Sequence, residues 1–162
     1  MNKMIFICTA LGYQKNFIAQ QVESIFKIPQ SEKRLYFGMG TPRVDSPAQP
    51  WDNVKATIDE HLKLFPNRTM IYHGWEILEF FEELRAEYPH GQFYGIRMDE
   101  AFTENMIVDW IHNSYDVNLD IAAMRNRIVK HHEILDNLWN NQDAVINDTR
   151  YTAKHRKCFF IK

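Results

Sequence analysis

The sequence predicts an α/β domain with a mainly parallel central sheet and helices on both faces. Strand-like apolar runs alternate with helical patterns along the chain, which is the order that crossover connections between parallel strands produce. The first run, residues 4–8, is apolar at every position, as is typical of a strand buried on both faces. The chain has 162 residues, 45% of them hydrophobic, which is enough for one domain over residues 1–162.

The elements of the first half follow from hydrophobic spacing and from prolines. After the first strand, apolar residues at helical spacing from Lys15 onward predict a helix that Pro29 ends. Residues 34–37 are typical of a short strand within an irregular segment rich in proline and glycine. Asp52 is predicted to cap the next helix, which Pro66 ends.

The middle of the chain predicts two strands, at residues 69–72 and 92–98, with one helix over residues 76–88 between them. One side of that helix is apolar, and Pro89 ends it. Its other side is predicted to be a solvated surface because it carries five glutamates: Glu76, Glu79, Glu82, Glu83 and Glu87.

The last third predicts a helix near residues 106–111, and then a long amphipathic helix that Asp120 caps and that runs to about Trp139. A short buried strand at residues 143–147 and an edge strand at residues 157–161 complete the predicted elements.

Charge, cysteines and apolar runs limit the classes of function. A formal charge of −2 and a pI of 6.4 do not favour a nucleic-acid partner. No apolar run approaches the ~20 residues that a membrane span needs, and no signal peptide is evident, so a soluble cytoplasmic protein is predicted. Cys8 and Cys158 form no metal-binding spacing, and we expect no disulfide. The oligomeric state is not indicated.

The turn after the first strand is the first candidate site, because ligands of such sheets bind at the carboxyl ends of the strands. It runs from Thr9 to Asn16 and leads into a predicted helix. Backbone N–H groups at a helix N-terminus can hold a phosphate, and Lys15 would supply the cation. Alternatively, Lys15 is a solvated surface lysine without a role in binding.

This turn resembles the phosphate-binding loop of the P-loop nucleoside and nucleotide kinases. Of the pattern G-x-x-x-x-G-K-[ST], the segment keeps only Lys15, with Gly12 inside the loop and Asn16 in place of the hydroxyl residue. The resemblance implies a P-loop kinase-like domain. It also implies a nucleotide-binding set made of Gly12, Tyr13, Gln14, Lys15 and Asn16.

The order of later segments extends the resemblance over most of the chain. Residues 27–60, with Arg34 and Arg43, are similar to the segment that receives the phosphate acceptor. Residues 116–130 are similar to the lid. The remaining residues that the resemblance implies are Arg125 and Arg127 on the transferring phosphate, His73 as a catalytic residue at a strand end, and Asn147 and Asp148 near the nucleotide base.

The resemblance implies nucleotide-dependent phosphoryl transfer, with ATP or GTP as the donor. The acceptor would be a nucleoside, a nucleotide or a nucleic-acid base. Asn16 and His73 stand where the family's magnesium-organising hydroxyl and acid are expected. This leaves magnesium open as a cofactor, and it predicts that nucleotide binding responds weakly to Mg²⁺.

Two alternatives stay open, and one metal motif is not favoured. The domain could be a catalytically silent nucleotide-binding or protein-interaction module on the same fold. It could also be a nucleoside-processing transferase or hydrolase on a flavodoxin-like sheet that uses Asp99 and Glu100. Residues 131–133 read His-His-Glu, but neighbours on a helix point about 100° apart, so no metal site is predicted there.

Overall fold

The computed structural model describes residues 3–10, 35–37, 47–98, 120–141 and 156–161. These residues form strands and helices of one mixed α/β fold, which confirms the predicted class. The strands are β1 (Lys3–Cys8), β2 (Leu35–Phe37), β3 (Thr69–Gly74), β4 (Gln92–Met98) and β5 (Arg156–Ile161). The helices are α1 (Trp51–Leu64), α2 (Trp75–Glu79), α3 (Phe81–Glu87) and α4 (Ile121–Asn140).

The strands form one sheet in the order β2-β3-β1-β4-β5. β1 pairs in parallel with β3 on one side and with β4 on the other, and β2 pairs in parallel with β3. β5 runs antiparallel to β4. The sheet therefore mixes both kinds of pairing, and the predicted edge strand is the antiparallel one.

An aromatic cluster fills one face of the sheet. The Phe6 ring stacks on Tyr72 of β3 at 5.3 Å between centroids and on Phe93 of β4 at 4.6 Å. Tyr88, which follows α3, stacks on Phe6 from above at 6.1 Å. The described helices pack on this face. Because side chains alternate along a strand, Ile5 and Ile7 point to the opposite face, where they are also buried; a helix over that face stays a prediction.

Helix α4 is fixed to the sheet through its second half. Arg97 of β4 donates from Nε to Asp136 Oδ1 at 2.6 Å, and its guanidinium lies over the Trp139 ring. The Trp139 ring in turn meets Phe159 of β5 edge to face. These contacts place α4 across β4 and β5, so that its first half reaches the end of β3.

Two predicted helix details are wrong. Helix α1 begins directly after Pro50, and Asp52 lies in its first turn rather than at the cap; proline suits the start of a helix because it needs no hydrogen bond there. The single helix predicted over residues 76–88 is divided at Phe80, whose ring packs against Trp51 at 5.7 Å. Asp120 caps α4 as predicted, by accepting a hydrogen bond from the backbone of Ala123.

Three predicted elements lie outside the described residues: the helix that starts near Lys15, the helix near residues 106–111, and the strand at residues 143–147. Of the helices that are described, none combines the length and the apolar character needed to cross a membrane.

Candidate functional site at the ends of β1 and β3

The strand order makes the carboxyl ends of β1 and β3 the topological switch point of the sheet, and the region outside these two strand ends is called the crevice. From β1 the chain continues to β2, beyond β3, whereas from β3 it crosses to β4 on the other side of β1. In open α/β sheets, ligands bind where neighbouring strands send their connections in opposite directions. Cys8, the last residue of β1, pairs with Gly74, the last residue of β3, so the residues that follow the two strands are neighbours.

The β1 side of the crevice consists of Thr9 and Ala10, which are both buried. They are the first residues of the turn in which the sequence predicts phosphate binding. Cys8 just before them is also buried, and burial raises the pKa of its thiol well above the usual range. Cys8 is therefore an uncharged core residue and not a nucleophile.

The β3 side of the crevice carries two buried polar side chains, those of His73 and Glu76. Between them Gly74 has a φ of 123°, a conformation that side chains with a Cβ rarely adopt. This turn starts α2 and brings Glu76 back toward the strand end: a Cβ on Gly74 would lie 2.8 Å from Glu76 Oε2. Among the described residues, that oxygen has no hydrogen-bond partner.

Trp75 links the end of β3 to α4. Its ring stacks on His131 at 5.8 Å, and the guanidinium of Arg127 lies 4.0 Å from the ring centroid. Arg127, half-buried, is thereby held beside the first residue of α2. The arrangement places a permanent positive charge near the crevice, stabilised by the face of an indole ring.

Glu79 and His131 join the two helices below this point. His131 is fully buried, and its Nε2 lies 3.0 Å from Glu79 Oε1. Burial lowers the pKa of His131, so the neutral imidazole donates its Nε2 proton to an ionised Glu79. Hydrogen bonds from His131 and from Lys130 hold the pKa of Glu79 at about 2, against the effect of burial. His131 stacks on Trp75 and so helps to position it, and the carboxyl group of Glu79 is ionised and cannot donate a proton.

The structure brings two of the predicted site residues to this region, His73 at the end of β3 and Arg127 beside Trp75. Arg125 is exposed on α4. It lies two residues from Arg127, about 200° around the helix, so a fixed α4 presents the two side chains in different directions. The predicted lid segment includes residues 121–130, which form the first half of α4.

The other predicted site residues lie outside the described part of the chain. They are Gly12, Tyr13, Gln14, Lys15, Asn16, Arg34, Arg43, Asn147 and Asp148. Asp99 and Glu100, which the hydrolase alternative would use, lie outside it as well. Of the predicted acceptor segment, residues 35–37 form β2 and residues 51–60 belong to α1.

Glu76 is the residue that sequence reasoning misplaced. The helical pattern over residues 76–88 predicts a solvated position for it, but its exposed fraction is only 3%. The error follows from treating residues 76–88 as one helix, because the break at Phe80 changes the angular positions of the residues before it. Its position two residues after a strand-ending glycine was the signal available in the sequence. In the described residues, no group of three or more His, Cys, Asp or Glu could hold a metal ion.

A pocket of about 250 Å³ opens at the opposite end of the strands, beside Met4, Tyr88 and Gly91. It lies at the amino ends of β1 and β4, away from the crevice. Tyr88, at its wall, donates a hydrogen bond to Asp59 of α1 and thereby ties α1 to the end of α3.

No protein-family model, curated protein or solved structure matches this chain.

Proposed function

We propose that the protein transfers a phosphoryl group from ATP or GTP to a nucleoside, a nucleotide or a nucleic-acid base. One observation carries the proposal: the topological switch point of the sheet, between β1 and β3, lies directly where the lysine-bearing turn after β1 begins. A P-loop kinase-like arrangement of the whole domain is part of the same proposal. It is supported by the central position of β1 between two parallel neighbours.

The proposed roles divide between the two sides of the crevice. Lys15, with the loop residues around it, holds the donor phosphates, and Arg127 faces the transferring phosphate from α4. In the reaction, an acceptor oxygen forms a bond to the terminal phosphorus of the donor, the bond from that phosphorus to the bridging oxygen breaks, and the nucleoside diphosphate leaves. His73 accepts the proton of an attacking hydroxyl or contacts the phosphate. Such reactions depend mainly on positioning and on charge neutralisation.

The other proposed contacts belong to the acceptor and to the base. Arg34 and Arg43 would bind the acceptor, Arg125 would assist at the phosphate, and Asn147 and Asp148 would lie near the nucleotide base. A divalent cation would neutralise phosphate charge when bound. Gly12, Tyr13, Gln14 and Asn16 complete the proposed loop around the phosphates.

Lys15→Ala tests the proposal directly. Loss of a charge-assisted contact of about 1.5–3 kcal/mol should weaken ATP and GTP binding by about tenfold or more, with little change in Tm. Calorimetric titration of both nucleotides measures the effect. Lys63→Ala is the matched control, since Lys63 is an exposed lysine in the last turn of α1, and it should bind like the wild type.

The outcomes separate the candidate functions. Equal affinity in the wild type and Lys15→Ala, or no binding of either nucleotide, argues against the phosphate role. Binding that depends on Lys15, without transfer to nucleosides, nucleotides or DNA, favours the catalytically silent nucleotide-binding module. Brisk transfer to a nucleoside monophosphate supports the kinase.

A further inference from the structure

We propose that the carboxylate of Glu76 is the protein ligand of the divalent cation that accompanies a bound nucleotide. The inference rests on the proposed function, because Mg²⁺ in such sites is held by one or two carboxylates together with substrate phosphates. It names a residue that the sequence pattern assigned to the solvent-exposed surface. Three features of Glu76 support this role: its burial, the absence of a hydrogen-bond partner for Oε2 among the described residues, and its place at the end of β3.

Burial without a partner is unfavourable for a carboxylate. The exposed fraction of Glu76 is only 3%, and its Oε2 has no hydrogen-bond partner among the described residues. A buried charge or polar group without a partner destabilises a folded protein. Its neighbour Glu79, three residues later, has both His131 and Lys130 as partners. A cation bound at Glu76 would supply the missing partner.

Gly74 provides the space that the carboxylate occupies. Its φ of 123° favours glycine, and a Cβ at this position would lie 2.8 Å from Glu76 Oε2, so that the carboxylate would have to shift. The carboxylate therefore lies against the turn after β3, at the carboxyl ends of the strands, where Cys8 and Gly74 pair. This is the end of the sheet at which nucleotide phosphates would lie. The oxygen donor of a carboxylate is also the ligand type that Mg²⁺ prefers.

A carboxylate ligand at Glu76 changes the response to Mg²⁺ that the sequence predicts. Asn16 and His73 lack the groups expected to organise magnesium, which predicted a weak response of nucleotide binding to Mg²⁺. With Glu76 as a ligand, a clear response is expected despite those two residues. The carboxylate comes from the first turn of α2 instead of from the end of β3.

Titration of ATP into the protein, with Mg²⁺ and with EDTA, tests the inference in three proteins. In the wild type we expect Mg²⁺ to strengthen ATP binding by about tenfold or more. In Glu76→Gln the gain should be absent, while binding in EDTA should be as tight as in the wild type or tighter, because the carboxylate no longer repels the phosphates. Glu82→Gln, which replaces an exposed glutamate of α3, should keep the full gain.

Thermal unfolding distinguishes a ligand from a structural residue. Removing an unpartnered buried carboxylate should leave Tm unchanged or raise it by about 2–4 °C in a domain of this size. A structural carboxylate would lower Tm when replaced by the amide. Glu82→Gln should leave Tm unchanged.

A measurement on the wild type keeps the test valid if Glu76→Gln does not fold. Mn²⁺ added to the ATP complex should broaden the amide NMR signals of Gly74 and Glu76. The signal of Gly91, at the opposite end of the strands, should stay sharp. Broadening at Gly91 but not at Gly74 and Glu76 overturns the inference.

The results separate this inference from the function on which it rests. ATP binding in EDTA with the same Mg²⁺ gain in the wild type and Glu76→Gln overturns the role of Glu76 and leaves the proposed function standing. No ATP binding under any condition overturns both. Loss of the gain in Glu76→Gln, with Tm unchanged or raised, supports both.

Discussion

The hydrogen bond between Glu79 and His131 makes the protein sensitive to acid. The pKa of Glu79 is held at about 2 in the folded protein, against 4.5 as its ordinary value. The unfolded chain therefore takes up a proton between these values that the folded protein does not, so the free energy of unfolding falls as the pH drops through this range. His131 acts in the same direction at higher pH, below 6.5, because burial lowers its pKa.

Glu79→Gln should reduce both the stability and its acid dependence. At pH 7 we expect a loss of about 1–2 kcal/mol after screening by solvent is allowed for. Between pH 4.5 and 2 the stability of the variant should fall less steeply than that of the wild type. Urea unfolding at a series of pH values measures both effects. The control Glu83→Gln removes an exposed glutamate and should follow the wild-type curve; parallel curves for Glu79→Gln and the wild type would contradict the prediction.

Among the secondary-structure elements, α4 depends on the cap at its N-terminus. Asp120 accepts a hydrogen bond from the Ala123 backbone at 3.0 Å, which satisfies one of the N–H groups that a helix leaves without an internal partner. The cap fixes the start of the helix that carries Arg127 to Trp75. A change at Asp120 is therefore expected to affect stability and the approach of Arg127 together.

Asp120→Ala should lower the stability by about 1 kcal/mol, which corresponds to about 2–4 °C in Tm. Asp120→Ser keeps an oxygen that can cap the helix, and should retain most of the lost stability. Calorimetric unfolding of the two variants provides the comparison. Equal losses in the two variants would show that the charge of Asp120, and not its capping bond, is what stabilises the helix.

The elements differ in how far the sequence predicts them. Apolar runs such as Phe6 with its neighbours predict the strands, and the cap at Asp120 predicts the start of α4, because both signals are local. The division at Phe80 has no proline or glycine to mark it in the sequence, and the Phe80 ring packs against Trp51, which lies far away in sequence. Glu76 was misplaced for the same reason: its burial follows from the turn at Gly74 and from tertiary packing, which no local pattern contains.

For the molecule as a whole, the antiparallel pairing of β4 with β5 adds the last strand at one edge of the sheet. Gly95 of β4 stands opposite Phe159, and the fully buried Phe159 ring lies over the glycine. A Cβ at Gly95 would overlap that ring. The missing side chain at this position thus allows β5 to bring a large aromatic residue into the core beside Trp139.

Gly95→Ala should destabilise the protein by about 1–3 kcal/mol, because the Phe159 ring must move out of its present position. Combining it with Phe159→Leu, which makes room for the new methyl group, should give a smaller loss than the sum of the two single changes. Chemical denaturation of the four proteins completes the double-mutant cycle. Strict additivity would mean that the two residues do not share this space.

The pairing of β1 with β3 also sets the order in which the protein can form during synthesis. β1 ends at Cys8, and its partner β3 begins only at Thr69. At the usual rate of chain elongation, the residues between them take about 3–12 seconds to make. For that time β1, which is apolar from Met4 to Cys8, has no neighbouring strand, and it presents unpaired backbone groups to other chains. Until β3 has been made, β1 is therefore a segment through which incomplete chains can associate with one another.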